Sequence, residues 1–249
     1  MPLRYRICAV LTALGLAVAA TTALAAKPAP QVEPYDGLPL QDVVVGTPYN
    51  THSTCVLGET GAPAWLINYV APPDDAYLQL IRPSDCAACS GPGGVIVTKV
   101  NMLINFRVVC TQQVAVYVVA AAGDAACRVP DANNVLCGPL YYNLTPPAAG
   151  NYNFSMPLPP GCCITQDAFI AVNFITPGTG CSTSTTVPRL ITTAACNACQ
   201  SYNVWSGGTD DLCVDIGFPG NPILNADVDC CNVVPTTPHS WGSIKTLYR

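Results

Sequence analysis

The chain has 249 residues, half of them hydrophobic and only 10% charged, with 10 basic against 15 acidic side chains and a formal charge of −5. An acidic chain with so few charges has no electrostatic footprint for nucleic acid or for an anionic membrane surface. Its apolar content excludes disorder through the body of the protein.

Residues 1–25 read as a secretory signal peptide. Arg4 and Arg6 make a basic start, Ile7 to Ala20 form an uncharged apolar run, and Ala23-Leu24-Ala25 offers a small-residue cut site. The run is shorter than the roughly 20 residues that a membrane span needs, so no transmembrane segment is expected. Cutting after Ala25 removes Arg4, Arg6 and Cys8, leaving 8 basic and 15 acidic side chains, a balance of −7, and 14 of the 15 cysteines. The expected location is extracellular or at the cell surface.

An even number of cysteines in an exported chain is a disulfide framework. Cys55, Cys86, Cys89, Cys110, Cys127, Cys137, Cys162, Cys163, Cys181, Cys196, Cys199, Cys213, Cys230 and Cys231 are therefore expected to form seven bridges, in a pairing that spacing alone does not reveal.

Residues 26–61 carry Pro28, Pro30, Pro34, Pro39 and Pro48 and read as a Pro-rich arm, partly polyproline II. Residues 62–232 are a succession of short apolar runs punctuated by Pro, Gly, Asn and Asp, with no sustained helical period. Two runs alternate clearly. In one, Val100, Met102, Ile104 and Phe106 oppose Lys99, Asn101 and Asn105; in the other, Tyr152, Phe154 and Met156 oppose Asn151, Asn153 and Ser155. "QVAVYVVAAA" and "DAFIAVNFIT" are nearly continuous apolar runs, as in central strands covered on both faces. About ten strands at this spacing predict an all-β, antiparallel β-sandwich, jelly-roll-like and disulfide-stapled. Residues 233–249 form a C-terminal linker and tail beyond the last staple. There Ser240 could cap a short helix whose apolar stripe is Trp241, Ile244, Leu247 and Tyr248.

Cys86/Cys89 and Cys196/Cys199 are C-x-x-C pairs, and together they could supply four thiolates to zinc. A redox role needs such a pair opening a helix within a β-α-β unit, and no such pattern is present. The export signal and the ten competing cysteines favour structural bridges over both. The adjacent pairs Cys162-Cys163 and Cys230-Cys231 agree, since neighbours on a strand point to opposite faces and reach different partners.

Candidates for chemistry are few. The two histidines, His52 and His239, lack a nucleophile in a recognisable pattern, and "GCSTS" at 180–184 misses the nucleophile-elbow motif. Glu33 and Glu59 fall outside the predicted core, which weighs against a glycosidase carboxylate pair. No enzymatic activity is expected. "DLCVDIGFPGNPILNADVD" reads as a hairpin around "GFPGN", with Asp211, Asp215, Asp227 and Asp229 on one outward face. Such crowding would suit calcium, or be screened by water; no other cofactor is expected. Tyr141, Tyr142, Tyr202 and Trp205 could stack on sugar rings, although core packing is the commoner fate of such side chains. "NLT" at 143 and "NFS" at 153 match the glycosylation acceptor pattern.

The ending W-G-x-x-K-x-L-Y-R, here Trp241, Gly242, Lys245, Leu247, Tyr248 and Arg249, accompanies a "C-x-S-Y-N" segment (Cys199, Ser201 to Asn203), a "G-F-P-G-N" turn and a late Cys230-Cys231. With these motifs the last 50 or so residues resemble an uncharacterised family of exported, cysteine-rich bacterial proteins. The resemblance implies export and a β-rich body, and a shared ending that acts as a sorting or docking tail. The functional expectation is a secreted or cell-surface structural or binding module whose partner is a surface glycan or another extracellular protein. The alternative is a carbohydrate-binding module or accessory domain of an extracellular enzyme.

Overall fold

The structure is a computed structural model that describes residues 27, 29–47, 53–89, 93–178 and 180–231. The signal segment, His52, His239 and the tail with Trp241, Gly242, Ile244, Lys245, Leu247, Tyr248 and Arg249 lie outside them.

The chain enters with three short strands, β1 (Gln31–Pro34), β2 (Leu40–Val44) and β3 (Cys55–Gly58). Next come β4 (Trp65–Asn68), β5 (Asp75–Ile81), two 3-10 turns, and the long strands β6 (Val95–Phe106), β7 (Gln112–Ala122) and β8 (Val129–Leu144). The rest is β9 (Gly150–Pro157), β10 (Cys163–Ile164), β11 (Ala168–Pro177), β12 (Arg189–Thr192), β13 (Ser201–Trp205), β14 (Gly208–Asp211) and β15 (Leu224–Cys230).

These strands form two sheets. The larger has nine strands in the order β1-β4-β12-β6-β15-β3, with β9 and β10 also on β6 and β2 beyond β9; the smaller runs β14-β13-β5-β11-β7-β8. From β4 to β7 each strand crosses to the opposite sheet, and β11 to β13 do the same, the habit of a jelly roll. The predicted all-β sandwich is therefore the architecture. One pairing departs from the antiparallel expectation, because β2 runs parallel to β9.

The two alternating runs behave as their period dictates. Val100, Met102, Ile104 and Phe106 of β6 and Tyr152, Phe154 and Met156 of β9 all enter the core between the sheets. Phe106 meets Tyr152 and Phe154 at ring separations of 6.3 and 5.7 Å. From the smaller sheet Tyr77, Val114, Val116, Val118, Ile170, Val172 and Phe174 face them. Burying one such side chain contributes about 1.5–3 kcal/mol.

Among its described residues the Pro-rich segment forms three short strands. Its β1 pairs with β4, β2 with β9 and β3 with β15, so it borders the larger sheet at three places. The prolines are compatible with this because edge strands do not need every N–H.

All fourteen cysteines among the described residues are paired, as Cys55–Cys86, Cys89–Cys230, Cys110–Cys181, Cys127–Cys199, Cys137–Cys162, Cys163–Cys231 and Cys196–Cys213. Neither C-x-x-C closes on itself, and each member of a vicinal pair reaches a different partner. Zinc and thiol chemistry at these cysteines give way to cross-linking. The bridged separations run from 17 to 141 residues, each worth about 3–5 kcal/mol in the chain-entropy picture. Such a framework belongs to an oxidising compartment.

Candidate functional site

The outer face of the smaller sheet is apolar, and its two ends differ. Register places Tyr141, Ala115, Asn173, Ala76 and Val204 in one row across β8, β7, β11, β5 and β13. The next row holds Tyr117, Ala171, Leu78 and Tyr202. Beyond it, Val119, Phe169 and Leu80 complete a buried cluster on this outer face.

The loop before β8 covers the far end. Cys127 is bridged to Cys199, Arg128 pairs with Asp167 at 3.1 Å, and the Tyr202 hydroxyl donates to the Arg128 carbonyl at 2.9 Å. The Phe169 and Tyr202 rings meet edge to face at 5.5 Å. Burial first, then the charges of Asp211 and Asp215, raises the Tyr202 phenol to about 12.

The near end is open. A groove of about 380 Å³ is lined by Asp74, Ala115, Tyr117, Ala132, Val135, Pro139, Tyr141, Asn173 and Ile175. Its alanine lining is Ala115 and Ala132, whose small side chains leave room between the tyrosines. Its walls are Tyr117 and the 62% exposed ring of Tyr141. Asp74 has a backbone φ of 61°, the left-handed region that Asp tolerates better than most residues. Its charge, after burial, raises the Tyr117 phenol above the ordinary range. The Asn173 Oδ1 is buried without a hydrogen-bond partner, a state that costs free energy unless something supplies a donor.

Of the four aromatic candidates, only Tyr141 belongs to this groove. Tyr142, its neighbour on β8, donates its hydroxyl to the Pro157 carbonyl across the sandwich. Tyr202 is 4% exposed and sits under the covering loop. Trp205 is half-buried at the β13–β14 turn, where Nε1 donates to Asp210 Oδ2 at 2.7 Å and the ring lies so close over Gly207 that a Cβ there would fall 2.2 Å from it.

The aspartate hairpin does not form. Only Asp211 of the first half belongs to a strand, as the end of β14, which pairs with β13 in the smaller sheet, while β15 pairs with β6 and β3 in the larger one. "GFPGN" therefore connects two sheets instead of turning a hairpin, and Val214 between the two aspartates is 67% exposed. Asp211 accepts from the amides of Cys199, Cys213 and Val214 at 2.6, 2.8 and 3.1 Å. Asp215 accepts from the Asp211 amide at 2.8 Å. Asp227 pairs with Lys99 at 2.9 Å, and Asp229 accepts from the Thr54 hydroxyl at 2.5 Å. The crowding that made calcium attractive is absent, and among the described residues no group of three His, Cys, Asp or Glu could hold a metal ion.

Sequence reasoning passed over Asp74, Tyr117 and Asn173. One signal was available: Asn173 interrupts the apolar run from Ala168 to Ile175 of a central strand.

Comparison with known proteins adds a family but no ligand. The model of a family described as "Domain of unknown function (DUF7451)" matches residues 73–228. No curated protein matches the chain. Among solved structures, the chain is similar to the cysteine protease and lectin-like domains of Cwp84, a surface layer associated protein of Clostridium difficile. The TM-score is 0.44 at 13% identity, over 67% of this chain and 33% of that one. The chain thus spans a third of that protein's length, and a likeness at this level carries no argument about ligand or chemistry. Among the described residues, no helix is long and apolar enough to cross a membrane.

Proposed function

We propose that this chain, which belongs to the DUF7451 family, acts outside the cytoplasm as a non-catalytic binding module, and that the groove on its smaller sheet takes an uncharged glycan. The groove carries this reading: two tyrosine rings stand beside a carboxylate and an unsatisfied carboxamide oxygen, along an alanine lining. The apolar face of a pyranose packs on an aromatic ring, while adjacent sugar hydroxyls donate to Asp74 and Asn173. Asp74 is the one charged side chain in the lining, so an anionic polymer would be repelled. Hydrogen bonds to a carboxylate are among the stronger ones available to a neutral ligand.

The non-catalytic part is supported by how carboxylates elsewhere are used. Glu33 pairs with Arg189, Glu59 accepts from the Gly61 amide, and Asp211 caps a loop. The seven cross-links support work in an oxidising compartment.

Affinity electrophoresis of the mature protein through gels containing β-glucan, mannan, galactan or alginate tests the reading. At least one neutral polymer should retard the protein and alginate should not. Tyr141→Ala should abolish the retardation, whereas Trp205→Ala should leave it intact. No retardation by any neutral polymer, or full retardation of Tyr141→Ala, overturns the proposal.

A further inference from the structure

Lys27, far from the groove's aromatic walls in sequence, is buried inside the sandwich. Its side chain is 5% exposed and that of Asp75 is 0% exposed. The Lys27 Nζ donates to Asp75 Oδ1, to Asn203 Oδ1 at 3.0 Å and to the Tyr77 hydroxyl at 3.2 Å. It also lies 3.9 Å from the centre of the Tyr69 ring. Asn203, itself 0% exposed, donates Nδ2 to the same Asp75 Oδ1 at 2.8 Å and to the Ala76 carbonyl at 2.9 Å. The second Asp75 oxygen accepts from the Tyr77 hydroxyl and the Ala71 amide, each at 2.8 Å. Phe174 closes the surround, edge-on to Tyr77 at 5.8 Å.

One carboxylate oxygen thus touches both an amine and the nitrogen of a carboxamide, and the oxygen of that carboxamide faces the amine. We infer that Lys27 and Asn203 become joined by an intramolecular amide bond, with Asp75 carrying the proton.

The step balances within the protein. Asp75 takes a proton from the Lys27 ammonium, and the freed amine attacks Cγ of Asn203. The new C–N bond forms from the Nζ lone pair, and the carbonyl oxygen holds the transient negative charge. A second Nζ proton passes through Asp75 to Nδ2, the Cγ–Nδ2 bond breaks, and ammonia leaves. The products are a secondary amide, ammonia and a neutral Asp75 acid, with no oxidant, reductant or co-reactant required.

Three physical features favour the reaction. Holding nucleophile, acyl group and proton carrier together replaces a bimolecular encounter with an internal step. Burial lowers the Lys27 pKa, against the opposing pull of Asp75, which raises the share of free amine. The exchange also removes a buried ion pair, whose desolvation cost its mutual attraction repays poorly. The resulting link spans 176 residues and, unlike the disulfides, survives reduction.

Intact mass spectrometry of the exported, processed protein, unfolded and reduced, decides the matter. The mass should fall short of the sequence mass by one ammonia, and digestion should release a branched peptide containing Lys27 and Asn203. Lys27→Arg and Asp75→Ala should each restore the full mass. A wild-type chain at full mass overturns the inference, and requires no variant to fold. An ammonia deficit that persists in Lys27→Arg reports ring closure at Asn203 alone, and overturns it too. A deficit of one water mapped to Lys27 and Asp75 overturns the assignment of Asn203 as the acyl partner. A deficit retained in Asp75→Ala removes Asp75 from the reaction.

Discussion

The two outer faces of the sandwich solve the same problem in opposite ways. Outside the larger sheet, polar residues on adjacent strands bond to one another. Asn105 donates to Asn151 at 2.6 Å and accepts from Arg189 at 2.9 Å, and Arg189 continues to Glu33 at 2.6 Å. Asn101 donates to Asn225 and Asp227 at 3.0 and 2.9 Å while accepting from Ser155 at 2.7 Å. Outside the smaller sheet the side chains are alanine, leucine, valine and aromatics, half covered by a cross-linked loop and half left as a groove. The larger sheet's face bonds most of its polar groups to one another, Asn153 Oδ1 being left over, and offers a ligand little apolar area, whereas the smaller sheet sets an unpaired acceptor beside open aromatic rings and offers both area and a bond.

The largest test of this contrast is the clamp over the covered half. Cys127→Ser with Cys199→Ser removes a bridge spanning 72 residues, and the loss should be about 3–5 kcal/mol. Urea unfolding measures it. Because Phe169, Leu80 and Tyr202 lie beneath that loop, the variant should also bind an apolar dye that wild type ignores. A variant as stable as wild type, with no dye binding, would show that the loop is held by its other contacts and that the cluster does not need the bridge.

The second test falls on the self-bonded face. Asn105→Ala leaves Asn151 and Arg189 each short of a partner at a buried site. Orphaning such groups costs about 1–3 kcal/mol. Retardation by glycan should be unchanged, since the groove lies across the molecule. Loss of binding at preserved stability would place the ligand on the wrong sheet.

How much of this was legible beforehand follows from the range over which each feature is encoded. The period-2 runs of β6 and β9 declare their core faces, because alternation is local and one face is buried. Their other faces look solvent-directed in the sequence, yet Asn101 and Asn105 are 6% and 3% exposed; strand alternation reports polarity, and cross-strand hydrogen bonds can hide a polar row. The disulfide class and count follow from compartment and parity, but the pairing depends on loops brought together from as far as 141 residues apart. The aspartate hairpin misled because "GFPGN" has turn chemistry without turning one strand back on the other. Asp74, Tyr117 and Asn173 come from three strands or their approaches, and their convergence exists only in the register of β5, β11 and β7.

The smallest expected change in stability is the most discriminating for function. Asn173→Ala removes an acceptor that already lacks a partner, so nothing is orphaned and unfolding free energy should move by less than about 1 kcal/mol, in either direction. The same substitution should abolish retardation by the neutral glycan that wild type binds, because the unpaired oxygen is one of the two acceptors, with Asp74, assigned to the sugar hydroxyls. Asn105→Ala and Asn173→Ala therefore form a matched pair: one residue type, two faces, stability lost in the first and binding lost in the second. Should Asn173→Ala destabilise the protein as much as Asn105→Ala does, Asn173 would be holding the sheet together, and an acceptor reserved for a ligand would no longer explain why it interrupts an apolar run.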